Sequence, residues 1–167
     1  MLTTIVFPLI LILTALLCSL VAGFLFAFAI VVMPGLKSLN DREFIRAFQV
    51  IDRVIQNNQP VFMLVWVGSV VALVISVLLG IGQLDGIGRV LIISAVLVYV
   101  FGVQLPTITI NLPLNNKLQA LDVDSMNETT QKAARIDFEP RWNRSNKIRT
   151  GFASLASLSL IVLLFIL

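Results

Sequence analysis

The stretch "VLIISAVLVYVFGVQLPTITINLPLNN", residues 90–116, carries no charged side chain. A helix rising about 1.5 Å per residue crosses roughly 30 Å of hydrocarbon in about 20 residues, so this run is long enough to span a membrane. Working outward, Met1–Leu36, Val54–Leu84 and Thr150–Leu167 are uncharged as well. The whole chain of 167 residues is 58% hydrophobic and 13% charged. Soluble domains carry about a quarter charged residues, so the composition points to an integral membrane protein.

The runs predict four spans, at about 4–33, 60–83, 89–113 and 148–167, in one all-α membrane domain. The first is read as a retained helix, not a signal peptide: it lacks a basic start, and its apolar run exceeds the usual ~7–15 residues. Between spans one and two, Asn40 followed by Glu43 resembles a capping box. Phe44, Phe48, Ile51 and Ile55 then recur at helical spacing, so 41–57 reads as an amphipathic surface helix. The loop between spans three and four, 115–147, is polar and partly helical, with a helix expected around 125–138 and broken by Pro140. The expected architecture is a four-transmembrane-helix bundle with these two loop elements.

Four spans place both loops on one side. They and their flanks hold Lys37, Arg42, Arg46, Arg53, Lys117, Lys132, Arg135, Arg141, Arg144, Lys147 and Arg149, against Arg89 alone opposite. The positive-inside rule puts the loops in the cytoplasm and the termini outside, in a bacterial plasma (inner) membrane. Acidic residues in the same loops leave no basic stripe, so no nucleic-acid partner is expected. The implied partner is membrane lipid. With no histidine and one cysteine, Cys18, the chain has no Cys/His metal site and no intrachain disulfide. In span two, Gly68, Ala72, Ser76 and Gly80 recur every fourth residue, a small-residue stripe for close helix packing. Packing within one chain is the preferred reading, with a homo-oligomer seam as the alternative.

The uncharged run 90–116 is unusual for its amides. Gln104, Thr107, Asn111 and Asn115 return to nearly one helical direction at ~100° per residue. An unpaired amide facing lipid costs several kcal/mol, so this line is expected to face the protein interior or a wet cavity. Pro106 and Pro113 each lack an N–H, freeing the carbonyls of Gly102 and Thr109. Trp142, Asn146 and Arg149 share one face at the entry to span four. Gln49 and Asp52 share one side of the surface helix, with Gln56. All three clusters sit at one membrane face. Two readings stand: a ligand pocket opening at that end, or amides that hydrogen-bond helices together beside ordinary interfacial anchors.

The segments "FAFAIVVMPGL" (26–36), "FQVIDRVIQNNQPVF" (48–62), "NLPLNNKL" (111–118) and "WNRSNKIRTGF" (142–152) together resemble the anthrone-oxygenase-like family of small four-span membrane proteins. Its Asn-x-Pro-x-Asn element is matched by Asn111, Pro113 and Asn115, and its Trp, Asn and basic residue by Trp142, Asn146 and Arg149. Gln49 matches in the first loop, whereas Asp52 stands where Asn is expected. The resemblance implies oxidation of a small hydrophobic aromatic ligand by O2 with no cofactor, neither metal nor flavin. On that reading Asp52 is the base, and Arg149 with Asn111, Asn115 and Asn146 binds the oxyanion. Trp142 stacks on the substrate, and Gln49, Gln104 and Thr107 complete the binding set. The competing reading is a non-catalytic four-span protein that binds a lipid or small molecule or serves as an accessory subunit; a transporter ranks third.

Overall fold

Each uncharged run becomes a helix in the computed structural model, which describes the backbone from Leu2 and side chains from Ile5 to Leu167. The expected start of the first span near Thr4 falls among side chains outside that range. Among the described residues there is no strand. The elements are α1 (Ile5–Lys37), α2 (Asp41–Gln56), α3 (Pro60–Gly80), α4 (Gly86–Gln119) and α5 (Glu128–Ile166). All but α2 are long and apolar enough to cross a membrane. This is an integral membrane protein.

Local chemistry sets the helix starts. Asn40 accepts from the Glu43 N–H at 2.9 Å and Asp85 from Gly88 at 2.7 Å. Asn127 accepts from Thr130 at 2.9 Å. Each satisfies one backbone donor that the first turn leaves without a partner. Several ends differ from expectation. Helix α1 continues to Lys37, α4 covers Gly86–Gln119, and α5 begins at Glu128, far ahead of residue 148. Pro140 does not break α5. It removes the donor for the Ile136 carbonyl, but both residues lie on the exposed face, where solvent can take that bond.

The other helix prolines near the loop end are met differently. A π-helical turn ends two residues before each of them: Phe28–Val32 before Pro34, Val100–Gln104 before Pro106, and Thr107–Asn111 before Pro113. A wider turn relieves the clash between the proline ring and the preceding carbonyls. The Thr107 and Thr109 hydroxyls then donate back to the Val103 and Leu105 carbonyls, at 2.7 and 2.8 Å. A missing N–H alone predicts simple gaps in the ladder. The chain instead re-registers it and adds side-chain donors.

Helix α1 packs along both α3 and α5, and α4 packs along α5, while α3 and α4 touch only sparsely. The small stripe of α3 is spent on α1. Ser76 Oγ and Thr14 Oγ1 lie 2.8 Å apart, and Gly80 seats the Phe7 ring. On the other seam, Gly102 of α4 lies against Phe152 of α5. At the loop end, Phe44 and Phe48 of α2 are buried against Phe138 and Trp142 of α5. Arg135 pins this region: it donates to the Leu39 and Lys37 carbonyls at 2.8 and 3.0 Å, and its guanidinium stacks over Phe44 at 4.4 Å.

A methyl added at Gly102 would sit 2.4 Å from Phe152 Cγ and 2.6 Å from its Cβ, which no rotamer change removes. Gly102→Ala is therefore expected to cost about 1–3 kcal/mol by overpacking. Thermal unfolding in detergent checks this. An unchanged midpoint would mean that the α4–α5 seam can spread freely.

Candidate functional site

A cavity of about 460 Å³ opens between the loop ends of the helices. That volume lies in the usual range of about 300–1,000 Å³ for small-molecule sites. One side of the cavity is a chain of aromatic rings. Trp66 stacks on Phe62, Phe62 meets Phe24, Phe24 meets Phe28, and Phe28 meets Trp142, with centroids 4.9–5.6 Å apart. The polar line of α4 supplies the facing wall, with Gln104, Thr107, Asn111 and Asn115 all lining the cavity. Asp52 enters from α2, and Asn146 and Arg149 from α5.

Asp52 sits where α2 crosses the end of α4. It is 2% exposed, yet both carboxylate oxygens are used. Oδ1 accepts from the Asn115 amide at 2.8 Å, and Oδ2 from Gln56 at 2.6 Å and Gln119 at 3.1 Å. Burial pushes the carboxyl above the ordinary carboxylate range, and the amides of Gln119, Gln56 and Asn115 pull it part of the way back. The result is a partly desolvated carboxylate in a cage of neutral donors, with a higher proton affinity than a surface aspartate.

Arg149 presents the opposite case. It is 4% exposed and lies within α5. Its terminal nitrogens donate to Thr107 Oγ1 at 2.9 Å and Asn146 Oδ1 at 3.0 Å, both neutral. Its Nε is buried without an acceptor. The Trp142 ring lies 5.8 Å from the guanidinium carbon. Among the described residues no carboxylate forms an ion pair with it. An uncompensated cation at this depth is expensive and marks a functional position by default.

The remaining residues hold these two groups in place. Asn115 receives the Trp142 indole N–H at 2.8 Å while donating to Asp52, so it fixes the ring and the carboxylate together. Asn111 accepts from Ser145 at 2.5 Å and reaches the Trp142 carbonyl at 3.4 Å. Asn146 donates to the Leu25 carbonyl at 3.0 Å and thereby ties α5 to α1. Gln104 accepts from the Trp66 indole at 3.2 Å. Of the residues singled out in the sequence, Gln49 alone is not brought to the cavity. Its amide donates to the Leu118 and Leu121 carbonyls at 2.8 and 2.9 Å, closing the C-terminal end of α4.

Sequence reasoning missed one polar partner of Asp52, Gln119, and four aromatic residues of the cavity lining. Gln119 follows Asn115 by one more i+4 step, so extending the same polar line would have found it. Phe24, Phe28, Phe62 and Trp66 read as ordinary apolar span residues, because an aromatic cavity wall and an aromatic core have the same hydropathy. Among the described residues no three His, Cys, Asp or Glu side chains converge as metal ligands.

Fold and cavity together define an all-helical integral membrane protein with an aromatic-walled cavity at one end, holding one buried carboxylate and one buried guanidinium. The chain belongs to the anthrone oxygenase family, whose model matches residues 48–159. The match begins in α2, just before Asp52, and continues past Arg149, so it includes every polar residue of the cavity. No curated protein and no solved structure matches the chain.

Arg149→Met removes the unpaired buried cation and leaves one buried acceptor, Asn146 Oδ1, without its donor, while Thr107 still donates to Val103 and Asn146 to Leu25. An acceptor left in this way costs about 1–3 kcal/mol, less than the several kcal/mol that desolvating an ion costs. The unfolding midpoint of Arg149→Met is thus expected to stay or rise. A clear fall would make the guanidinium a structural element.

Proposed function

We propose that this protein oxidises a flat, apolar aromatic compound with an acidic ring methylene, using O2. The observation that carries the reading is the buried Arg149, which has no ion-pair partner among the described residues, in the same cavity as the buried Asp52. A methylene placed between a carbonyl-bearing ring system and its flanking rings is acidic because its carbanion is an aromatic oxyanion. Asp52 takes the proton, which its raised proton affinity favours. The charge moves to the ring oxygen, where Arg149 stabilises it by charge-assisted hydrogen bonding. Trp142, held by Asn115, provides a flat face against which such a ring system stacks.

The electron-rich anion passes one electron to O2, and the resulting radical pair joins carbon to oxygen. Asp52 returns its proton to the peroxide. Loss of water, with the second methylene hydrogen, leaves a new carbonyl. One atom of O2 ends in the product and one in water. The chain's own tasks are therefore deprotonation, anion stabilisation and exclusion of bulk solvent. By the charge bias of its loops, the cavity end faces the cytoplasm.

A second reading has one observation in its favour. The Asn111 and Asn115 amides are spent on Ser145, Trp142 and Asp52, as groups that only hold helices together would be. On that reading the protein binds a small molecule or lipid without chemistry.

Oxygen uptake by detergent-purified protein, with an anthrone as substrate, separates the two. Turnover is expected, with Arg149→Met lowering it about 10²–10³-fold and Asp52→Asn about 10²–10⁴-fold. No uptake above the non-enzymatic rate would sink the oxygenase reading.

The pH profile gives a second test. Asp52 must be ionised to act, so the rate rises as pH passes through its pKa, which lies above the ordinary 3.8. Removing one carboxylate donor in Asn115→Leu raises that pKa further, so the acidic limb moves to higher pH. A limb that stays in place would assign the titration to another group.

A further inference from the structure

The cavity has two possible routes of access, and they are held very differently. The loop-side roof is tied down. Gln49 donates to the carbonyls of Leu118 and Leu121, and Gln119 donates back to the Gln49 carbonyl at 2.8 Å. Asn115, Gln56 and Gln119 all converge on Asp52. Outside them, Arg42 and Arg46 of α2 both pair with Asp124 of the following loop. The Arg pair holds the Asp124 carboxyl down at about 2, so the outer tie persists at any ordinary pH.

The side between α3 and α4 is different. These neighbours are joined by side-chain bonds at two successive turns: Ser69 with Tyr99 at 2.7 Å, and Trp66 with Gln104 at 3.2 Å. One turn further toward the loop end, the antiparallel register brings Phe62 level with Ile108. There the pairing stops and the cavity begins, with Phe62, Met63, Ile108 and Leu112 all on its lining. Ile108 is 62% exposed and Leu112 44%, so the same residues face the cavity and the surrounding lipid. This is also where α4 makes its two π turns about Pro106, the feature that interrupts regular packing against a straight neighbour. Helix α3 starts at Pro60, so the gap lies at the edge of the hydrocarbon, not above it.

We propose that the gap between α3 and α4 is a lateral portal through which the ligand enters from the bilayer. The Trp66–Gln104 and Ser69–Tyr99 bonds form its closed lower end, and Ile108 its movable outer edge. The ligand class follows from the route. It is an uncharged, flat compound dissolved among acyl chains, which meets Phe62 and Ile108 at the entrance and the buried Asp52 and Arg149 only once inside. The portal's opening is apolar on both sides, so a ligand charged before entry is disfavoured there.

Stopped-flow fluorescence tests this with anthracene, which accepts energy from tryptophan and has no acidic methylene. Its uptake is therefore independent of any catalysis. Proteoliposomes are mixed with vesicles carrying anthracene, and the decay of tryptophan emission is followed. Ile108→Phe is expected to slow the approach to equilibrium about tenfold and Ile108→Ala to speed it, within the one to three decades over which association rates vary at one site. Because a gate acts on entry and exit alike, Kd should stay within about twofold while both rates move. Cross-linking the roof through Arg42→Cys with Asp124→Cys should leave the rate unchanged. Rates indifferent to Ile108, a rate set by the roof cross-link, a change confined to Kd, or no quenching in the unsubstituted protein would each overturn the portal. Uptake of anthracene through Ile108, together with no oxygen uptake when an anthrone is supplied, would leave the portal standing and remove the oxygenase reading.

Discussion

Inside a bilayer no water is available to take up an unpaired backbone group, and the structure turns on how α4 meets that condition. Two prolines within one span remove two donors and press two rings against the preceding turns. The helix widens to π turns just before each proline, and the Thr107 and Thr109 hydroxyls add bonds to the nearby Val103 and Leu105 carbonyls. A helix so occupied cannot lie flat against a regular neighbour along its whole length. The sparse contact with α3, the space beside it and the polar residues lining that space all belong to one solution of one problem.

The two charged groups of the cavity are stabilised by different means. Asp52 is surrounded by neutral amide donors, which favour its ionised form although burial opposes it. Arg149 has two neutral acceptors and an aromatic face, and keeps one donor unspent. Neither arrangement is what stability alone would select, since an apolar pair would avoid both desolvation costs. The carboxylate lies at the interface of α2 and α4 and the guanidinium at that of α4 and α5. A ligand seated between them touches three elements at once.

Much of this was legible in the sequence, and the reasons are specific. Uncharged run length placed the spans, because the hydrocarbon thickness fixes it. The residues spaced i, i+3, i+7, i+11 from Gln104 to Asn115 all line the cavity, even across the π turn at Thr107–Asn111. The α5 helix was misjudged because Pro140 counts as a breaker only where its orphaned carbonyl cannot reach solvent. Gln49 was grouped with Asp52 by proximity along α2, but its amide length lets it reach past the cavity to the end of α4. The aromatic wall stayed invisible, since hydropathy does not distinguish a ring that lines a space from one that fills it.

The π turns carry a further consequence for how this chain tolerates change. Each inserts extra backbone length into a helix, so the side chains beyond it stand where an α-helix would place their neighbours. A substitution that let the turn at Thr107–Asn111 tighten to ordinary α geometry, with no residue lost, would turn everything after it by about 100°. Asn115 would leave Asp52 and Trp142, and Gln119 would leave the roof, with hydropathy and span length almost unchanged. A chain altered in that way would still insert and still count as four spans. It would have lost the alignment between α2 and α4 on which the cavity's polar end is built.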